Sequence, residues 1–213
     1  AGVTITESAG TTNITEGGAT DTYTIVLDFV PSASVYVNIA ADAQSTLSTS
    51  SIVFSTANWD TAQTITVTAV NDAVVEGAHT STITHSATST DGGYDGIVIG
   101  SVTGNITDND TAGFTVSALS GDTSEAGGTG TFTVVLTSQP TGVVTTTVHS
   151  SDTSEGTITT STLVFSPADW NLERTVTVTG IDDSVDDGNI AYSIILDTAT
   201  STDDVNYDGL NPA

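Results

Sequence analysis

The feature that most constrains this chain is that it says nearly the same thing twice. Ala1-Gly2-Val3-Thr4-Ile5 overlays on Ala112-Gly113-Phe114-Thr115-Val116, Glu16-Gly17-Gly18 on Glu125-Ala126-Gly127, and Tyr23-Thr24-Ile25-Val26-Leu27 on Phe132-Thr133-Val134-Val135-Leu136. The anchors continue in order: Pro31 with Pro140, Phe54 to Trp59 with Phe165 to Trp170, Asn71-Asp72 with Asp182-Asp183, and Tyr94-Asp95-Gly96 with Tyr207-Asp208-Gly209. A run of matches in one order is the signature of a tandem repeat, and it divides the 213 residues into two small domains, 1–110 and 111–213. The stretch from Ile106 to Val116 ends one copy and begins the next without a linker.

Each copy is built for extended backbone. Tyr23, Ile25 and Leu27, and again Ile65 and Val67, alternate with Thr, which is the period of half-buried antiparallel strands. Thr and Val favour that backbone, while Gly, Asn, Asp and Ser interrupt it at short intervals as turn formers. The pattern predicts seven strands in the first copy, near 3–6, 20–28, 34–40, 51–55, 63–70, 78–88 and 97–107, and no helix. Seven short strands in about 100 residues predict an all-β fold of two immunoglobulin-like antiparallel β-sandwiches. The second copy stops four residues beyond Gly209, so its last strand is expected to be missing and the repeat C-terminally incomplete.

Charge then decides which partners are admissible. One Lys or Arg stands against 26 Asp and Glu, for a formal charge of -25, so nucleic acid and anionic membrane surfaces are repelled and cations attracted. With no Cys there is neither a disulfide framework nor a thiolate site. No apolar run is long enough to span a membrane. Ala1 already lies inside the repeat and no signal-peptide pattern precedes it, so the chain reads as an excised or processed piece.

The acids are also placed by the strand order. Successive strands run end to end, so the loops after the first, third, fifth and seventh strands share one end of the sandwich. Those loops hold Glu16, then Asp42, then Asn71, Asp72 and Glu76, then Asp108 and Asp110. Two bare carboxylates about 5 Å apart repel by roughly 3 kcal/mol at an effective dielectric near 20. A hard cation with six to eight oxygen ligands relieves that repulsion, and calcium suits flexible loop carboxylates better than magnesium. The second copy offers Glu125, Asp152, Asp182, Asp183, Asp186 and Asp187 for the same purpose.

Thr15-Glu16-Gly17-Gly18, Ala69 to Gly77 and Ile106-Thr107-Asp108-Asn109-Asp110 together resemble the Calx-beta domain, and the resemblance covers nearly the whole chain. That family occurs in the regulatory region of sodium-calcium exchangers and as tandem arrays in large bacterial surface and secreted proteins. The resemblance implies calcium held at one end of the sandwich by the first-motif Glu, acids of the middle motif and acids after the last strand. Two departures imply fewer ions per domain: Asn71 stands where the family has Asp, and His79 and Ile190 stand where a second Glu follows.

Other residues are expected to be structural. Trp59 and Trp170 follow the fourth strand at the end away from the acids and are expected to plug the core. The Tyr94-Asp95-Gly96 turn belongs to the same end. His79 and His85 lie about 20 Å apart on a regular strand and are expected at the surface or core edge. No nucleophile pairs with a base, so no catalytic residue and no enzyme is expected. The expected role is a calcium-rigidified spacer of an extracellular or cell-surface protein, packed against neighbouring repeats. The alternatives are an adhesion module for glycan or protein, or a subunit that self-associates by strand addition at the open edge of the second repeat.

Overall fold

A computed structural model describes residues 1–182 and 188–212. The chain is all-β and forms two compact units, one of residues 1–72 and 76–109, the other of residues 73–75 and 110–213. The first unit contains β1 (Val3–Glu7), β2 (Thr12–Thr15), β3 (Asp21–Leu27), β4 (Val35–Ala41), β5 (Ser45–Leu47), β6 (Ser51–Phe54), β7 (Gln63–Ala69), β8 (His79–Ser89) and β9 (Val102–Thr107). One sheet has the order β1-β3-β7-β5 and the other β2-β9-β8-β4-β6.

The alternation read from the sequence sets which side chains these sheets enclose. Tyr23, Ile25 and Leu27 of β3 and Ile65 and Val67 of β7 are buried, as are Val35 and Val37 of β4, Phe54 of β6, Ile83 of β8 and Val102 and Ile106 of β9. Each such side chain contributes roughly 1.5–3 kcal/mol on leaving water. The intervening Thr and Ser face solvent, as the burial of β9 shows: Val102, Gly104 and Ile106 are buried and their neighbours exposed.

The first strand is split, which the sequence pattern did not predict. Ala9 and Gly10 take positive φ values of 50° and 83°, turning the chain out of the first sheet after β1. It resumes as β2 in the opposite sheet, where Thr12, Asn13, Ile14 and Thr15 pair with Gly104, Asn105, Ile106 and Thr107 of β9. This pairing is parallel, whereas every other strand pairing among the described residues is antiparallel. It carries the chain to the point where β9 ends, and the Glu16 N–H donates to the Thr107 carbonyl at 3.0 Å.

The second unit repeats the scheme with β10 (Phe114–Val116), β11 (Thr129–Leu136), β12 (Val144–Ser150), β13 (Gly156–Ile158), β14 (Thr162–Phe165), β15 (Arg174–Gly180) and β16 (Ile194–Leu196). Its sheets are β10-β11-β15-β13 and β14-β12-β16. β16 takes the place of β8, and among the described residues no strand lies on its other side. Trp59 and Trp170 are partly buried against the two cores. The Tyr94 hydroxyl donates to the Phe29 carbonyl at 2.6 Å, and that of Tyr207 to the Ser138 carbonyl at 2.9 Å, so each tyrosine latches a loop to its core.

One polar contact sits at the edge of the first core. A carbonyl can only accept, so His85 Nδ1 donates to the Gly100 oxygen at 2.8 Å, leaving Nε2 to accept from the Tyr23 hydroxyl at 2.9 Å. Burial pushes His85 below its ordinary 6.5, against the opposing pull of the Gly100 carbonyl. The folded state therefore binds fewer protons than the unfolded state below about 6.5, and stability falls as pH falls through that window. Wild-type protein without metal is expected to lose more melting temperature between pH 7.5 and 5.5 than His85→Gln does. Parallel losses in thermal melts of the two proteins contradict this.

Candidate metal centre

The split first strand delivers one carboxylate into a position that the other loops of the same tip surround. Glu16, just past β2, is 2% exposed, and neither of its carboxylate oxygens accepts a hydrogen bond. Leaving a buried acceptor unsatisfied costs about 1–3 kcal/mol, and more when it is charged. Side chains of the first unit converge on it: Asp108 after β9, and Glu76 and His79 around the start of β8. Ligand atoms of Glu16, Glu76 and His79 lie within 4.8 Å of one another, and so do ligand atoms of Glu16 and Asp108.

Electrostatics match this geometry. Burial is the largest influence raising the Glu16 carboxyl above its ordinary 4.5, and the charges of Asp108, Asp72 and Glu76 push the same way. The Asp72 backbone N–H opposes them from a position that falls short of a hydrogen bond to Glu16. An ionised Glu16 is thus held away from solvent, beside acids that repel it.

The loops are fixed so that they cannot splay apart. Asp108 Oδ2 accepts the backbone N–H groups of Glu76 and Gly77, each at 2.7 Å, and so ties the loop after β7 to the end of β9. Asn109 Nδ2 donates to the Glu16 carbonyl at 3.0 Å and to Asn71 Oδ1 at 2.9 Å. Gly17 has φ +58°, and a Cβ there would stand 2.6 Å from Asn71 Oδ1, so only glycine lets these three loops close.

The residues expected at this tip therefore occupy different roles. Glu16, Glu76 and Asp108 converge, Asp72 is close enough to act on Glu16, and Asp110 falls in the second unit. Asn71 is engaged in the tie to Asn109. Asp42 accepts from the Thr82 N–H at 2.6 Å, the Ser81 hydroxyl at 2.7 Å and the Gln44 N–H at 3.0 Å. Burial works to raise its pKa, but these donors outweigh it and hold the carboxyl below its usual value. Asp42 thus fastens the turn after β4 to β8 with both oxygens. His79 was not expected here. Its Nε2 lies 3.4 Å from Glu76 Oε2 and 3.9 Å from Glu16 Oε1. The signal was present in its spacing, three residues after Glu76, but a lone histidine carries no mark of what it faces.

In the second unit Glu125 is exposed, unlike its counterpart Glu16. Asp152 caps a turn through the Ser154 hydroxyl and N–H, at 2.5 Å and 3.0 Å, and these two donors lower its pKa. Asp182 is exposed, and Asp183, Asp186 and Asp187 lie outside the described residues. Among the described residues, the convergence of Glu76, His79 and Asp108 on Glu16 belongs to the first unit.

No protein-family model matches the sequence, and no curated protein matches it either. Among solved structures, the chain is similar to CBD12 from CALX1.2, with 14% identity over 95% of this chain and 84% of that one and a TM-score of 0.41. The calcium binding domain CBD12 of CALX1.1 gives 17% identity over 92% and 80%, also with a TM-score of 0.41. The CsuC-CsuE chaperone-tip adhesion subunit complex from Csu pili of Acinetobacter baumannii gives 9% identity over 92% and 98%, with a TM-score of 0.39.

A raised carboxyl pKa means that the folded state binds more protons than the unfolded state above pH 4.5, so without metal the ionised Glu16 lowers stability as pH rises through its folded value. In EDTA at pH 7.5, Glu16→Gln is therefore expected to melt above the wild type, by the equivalent of about 1 kcal/mol. A variant that melts below the wild type shows that Glu16 is satisfied in the metal-free fold.

Proposed function

We propose that the first unit is a calcium-binding module in which Glu16 and Asp108 coordinate the ion, with Asp72 and Glu76 adding negative charge beside it. The observation that carries this is the buried Glu16 carboxylate, whose oxygens have no hydrogen-bond donor and face acids on other loops. Calcium supplies what is lacking: a hard cation for several oxygens at once, with tolerance for irregular geometry. Bound there, it links the end of β2 to the end of β9 and stiffens the tip.

The larger role that fits is a spacer or scaffold repeat of an extracellular or cell-surface protein. A tandem repeat with no linker in its sequence sets distance rather than chemistry, and a charge of -25 suits a surface bathed in calcium. The tip serves rigidity, and the account assigns no catalytic role.

A second reading is favoured by the second unit. Val116, Phe132, Val178, Ile194 and Leu196 line an apolar groove at β16, and among the described residues no strand pairs with the edge of β16 that corresponds to the β9 edge of β8. That edge suits an added strand of the Val102–Thr107 type, from a neighbouring repeat or a second copy. A peptide with the sequence of residues 101–110 is expected to bind the chain and raise its melting temperature, and a peptide without effect contradicts strand addition.

For the calcium reading, thermal melts in EDTA and in 10 mM calcium decide. With a dissociation constant of about 0.1–1 mM, calcium adds roughly 1.4–2.7 kcal/mol. Glu16→Gln and Asp108→Asn are expected to lose that increment, while Asp95→Ala, whose carboxylate accepts the Ser89 N–H, is expected to keep it. Coincident melts with and without calcium, or an increment lost equally in Asp95→Ala, contradict the assignment.

A further inference from the structure

The geometry points to a second, nitrogen-containing metal subsite on the same tip, formed by Glu16, Glu76 and His79 and suited to a zinc-class divalent cation rather than to calcium. It shares Glu16 with the calcium reading but does not depend on calcium being bound.

The imidazole is already oriented as a metal ligand. His79 Nδ1 lies 2.9 Å from the Gly77 carbonyl oxygen, which can only accept, so Nδ1 carries the hydrogen. That leaves Nε2 for the cluster. An imidazole whose other nitrogen is held by a backbone carbonyl is the arrangement that fixes ring and tautomer in metal-bound histidines. Gly77 is itself fixed, because its N–H donates to Asp108 Oδ2 at 2.7 Å. The ring is therefore placed by backbone geometry, at the start of β8.

The distances match a small cation. His79 Nε2 and Glu76 Oε2 are 3.4 Å apart, and about 3.4 Å is the edge of a tetrahedron with metal–ligand bonds near 2.1 Å, the range of zinc to nitrogen and oxygen. Glu16 Oε1 stands 3.9 Å from the same nitrogen, one small shift from the same geometry. The independent sign of a ligand is again Glu16, 2% exposed with neither oxygen hydrogen-bonded. A proton on Nε2 satisfies one of these contacts, whereas a metal satisfies all three.

Donor type then separates the two subsites. Calcium takes oxygen ligands, which Glu16 and Asp108 supply. Imidazole suits zinc, copper and nickel, and the Glu16, Glu76 and His79 group is the one that contains it. Among the described residues, neither of the other two histidines belongs to such a group. His85 has both nitrogens engaged, by Tyr23 and Gly100, and His149 is half-exposed beside Asp197 at 3.4 Å.

The test is isothermal titration of the whole chain with zinc in calcium-free buffer, and separately with calcium. Wild type and His149→Ala are expected to bind one zinc with a micromolar dissociation constant, and His79→Gln at least tenfold more weakly while keeping its calcium response. Zinc affinity unchanged in His79→Gln, lost instead in His149→Ala, or undetectable in wild type overturns the proposal, even if calcium still stabilises the protein. Zinc binding that needs His79 in a protein indifferent to calcium upholds the subsite and removes the calcium reading instead.

Discussion

A buried carboxylate without a donor is the constraint around which the first sandwich is arranged. Glu16 reaches that position because β2 leaves the first sheet, pairs in parallel with β9 and ends where β9 ends. The same pairing seals Thr12 and Ile14 into the core. The fold thus spends core burial on holding a charge where it is least stable, beside Asp108, Asp72 and Glu76. Such an arrangement persists when something bound at the site repays the strain, and a cation is the simplest thing that does.

The contrast between the two halves sharpens this. Glu125 occupies the sequence position of Glu16, yet it is exposed, whereas Glu16 is enclosed. The difference lies in backbone pairing, not in the motif. In the first unit a strand follows on each side of the acid, β2 before it and β9 beside it, and the backbone bond from Glu16 to Thr107 locks the two. Around Glu125 the described residues form only a bridge between Ser124 and Gly128. The same residue type is enclosed among other acids in one setting and a solvated turn residue in the other.

Much of the framework was legible in the sequence because alternation and repetition are local properties. The strands predicted near 20–28, 34–40, 51–55 and 63–70 appear as β3, β4, β6 and β7 with Tyr23, Val35, Phe54 and Ile65 inward. The short β2 and β5 were not legible, since each depends on a partner far along the chain. The gathering of acids at one tip followed from strand order, but order does not tell a ligand from a cap. Asp42 and Asp108 look alike in sequence, yet Asp42 satisfies both oxygens on β8 and its own turn, while Asp108 is part of the convergent group. His79 was legible as the residue in place of a second Glu, but not the direction of its ring, which is set by the Gly77 carbonyl, a backbone contact.

The most direct measurement is a crystal structure of the chain grown in calcium, with the ion identified by its anomalous signal. The account predicts calcium about 2.3–2.6 Å from carboxylate oxygens of Glu16 and Asp108. Calcium found only at exposed turns, with the Glu16 oxygens still lacking any ligand, would contradict it.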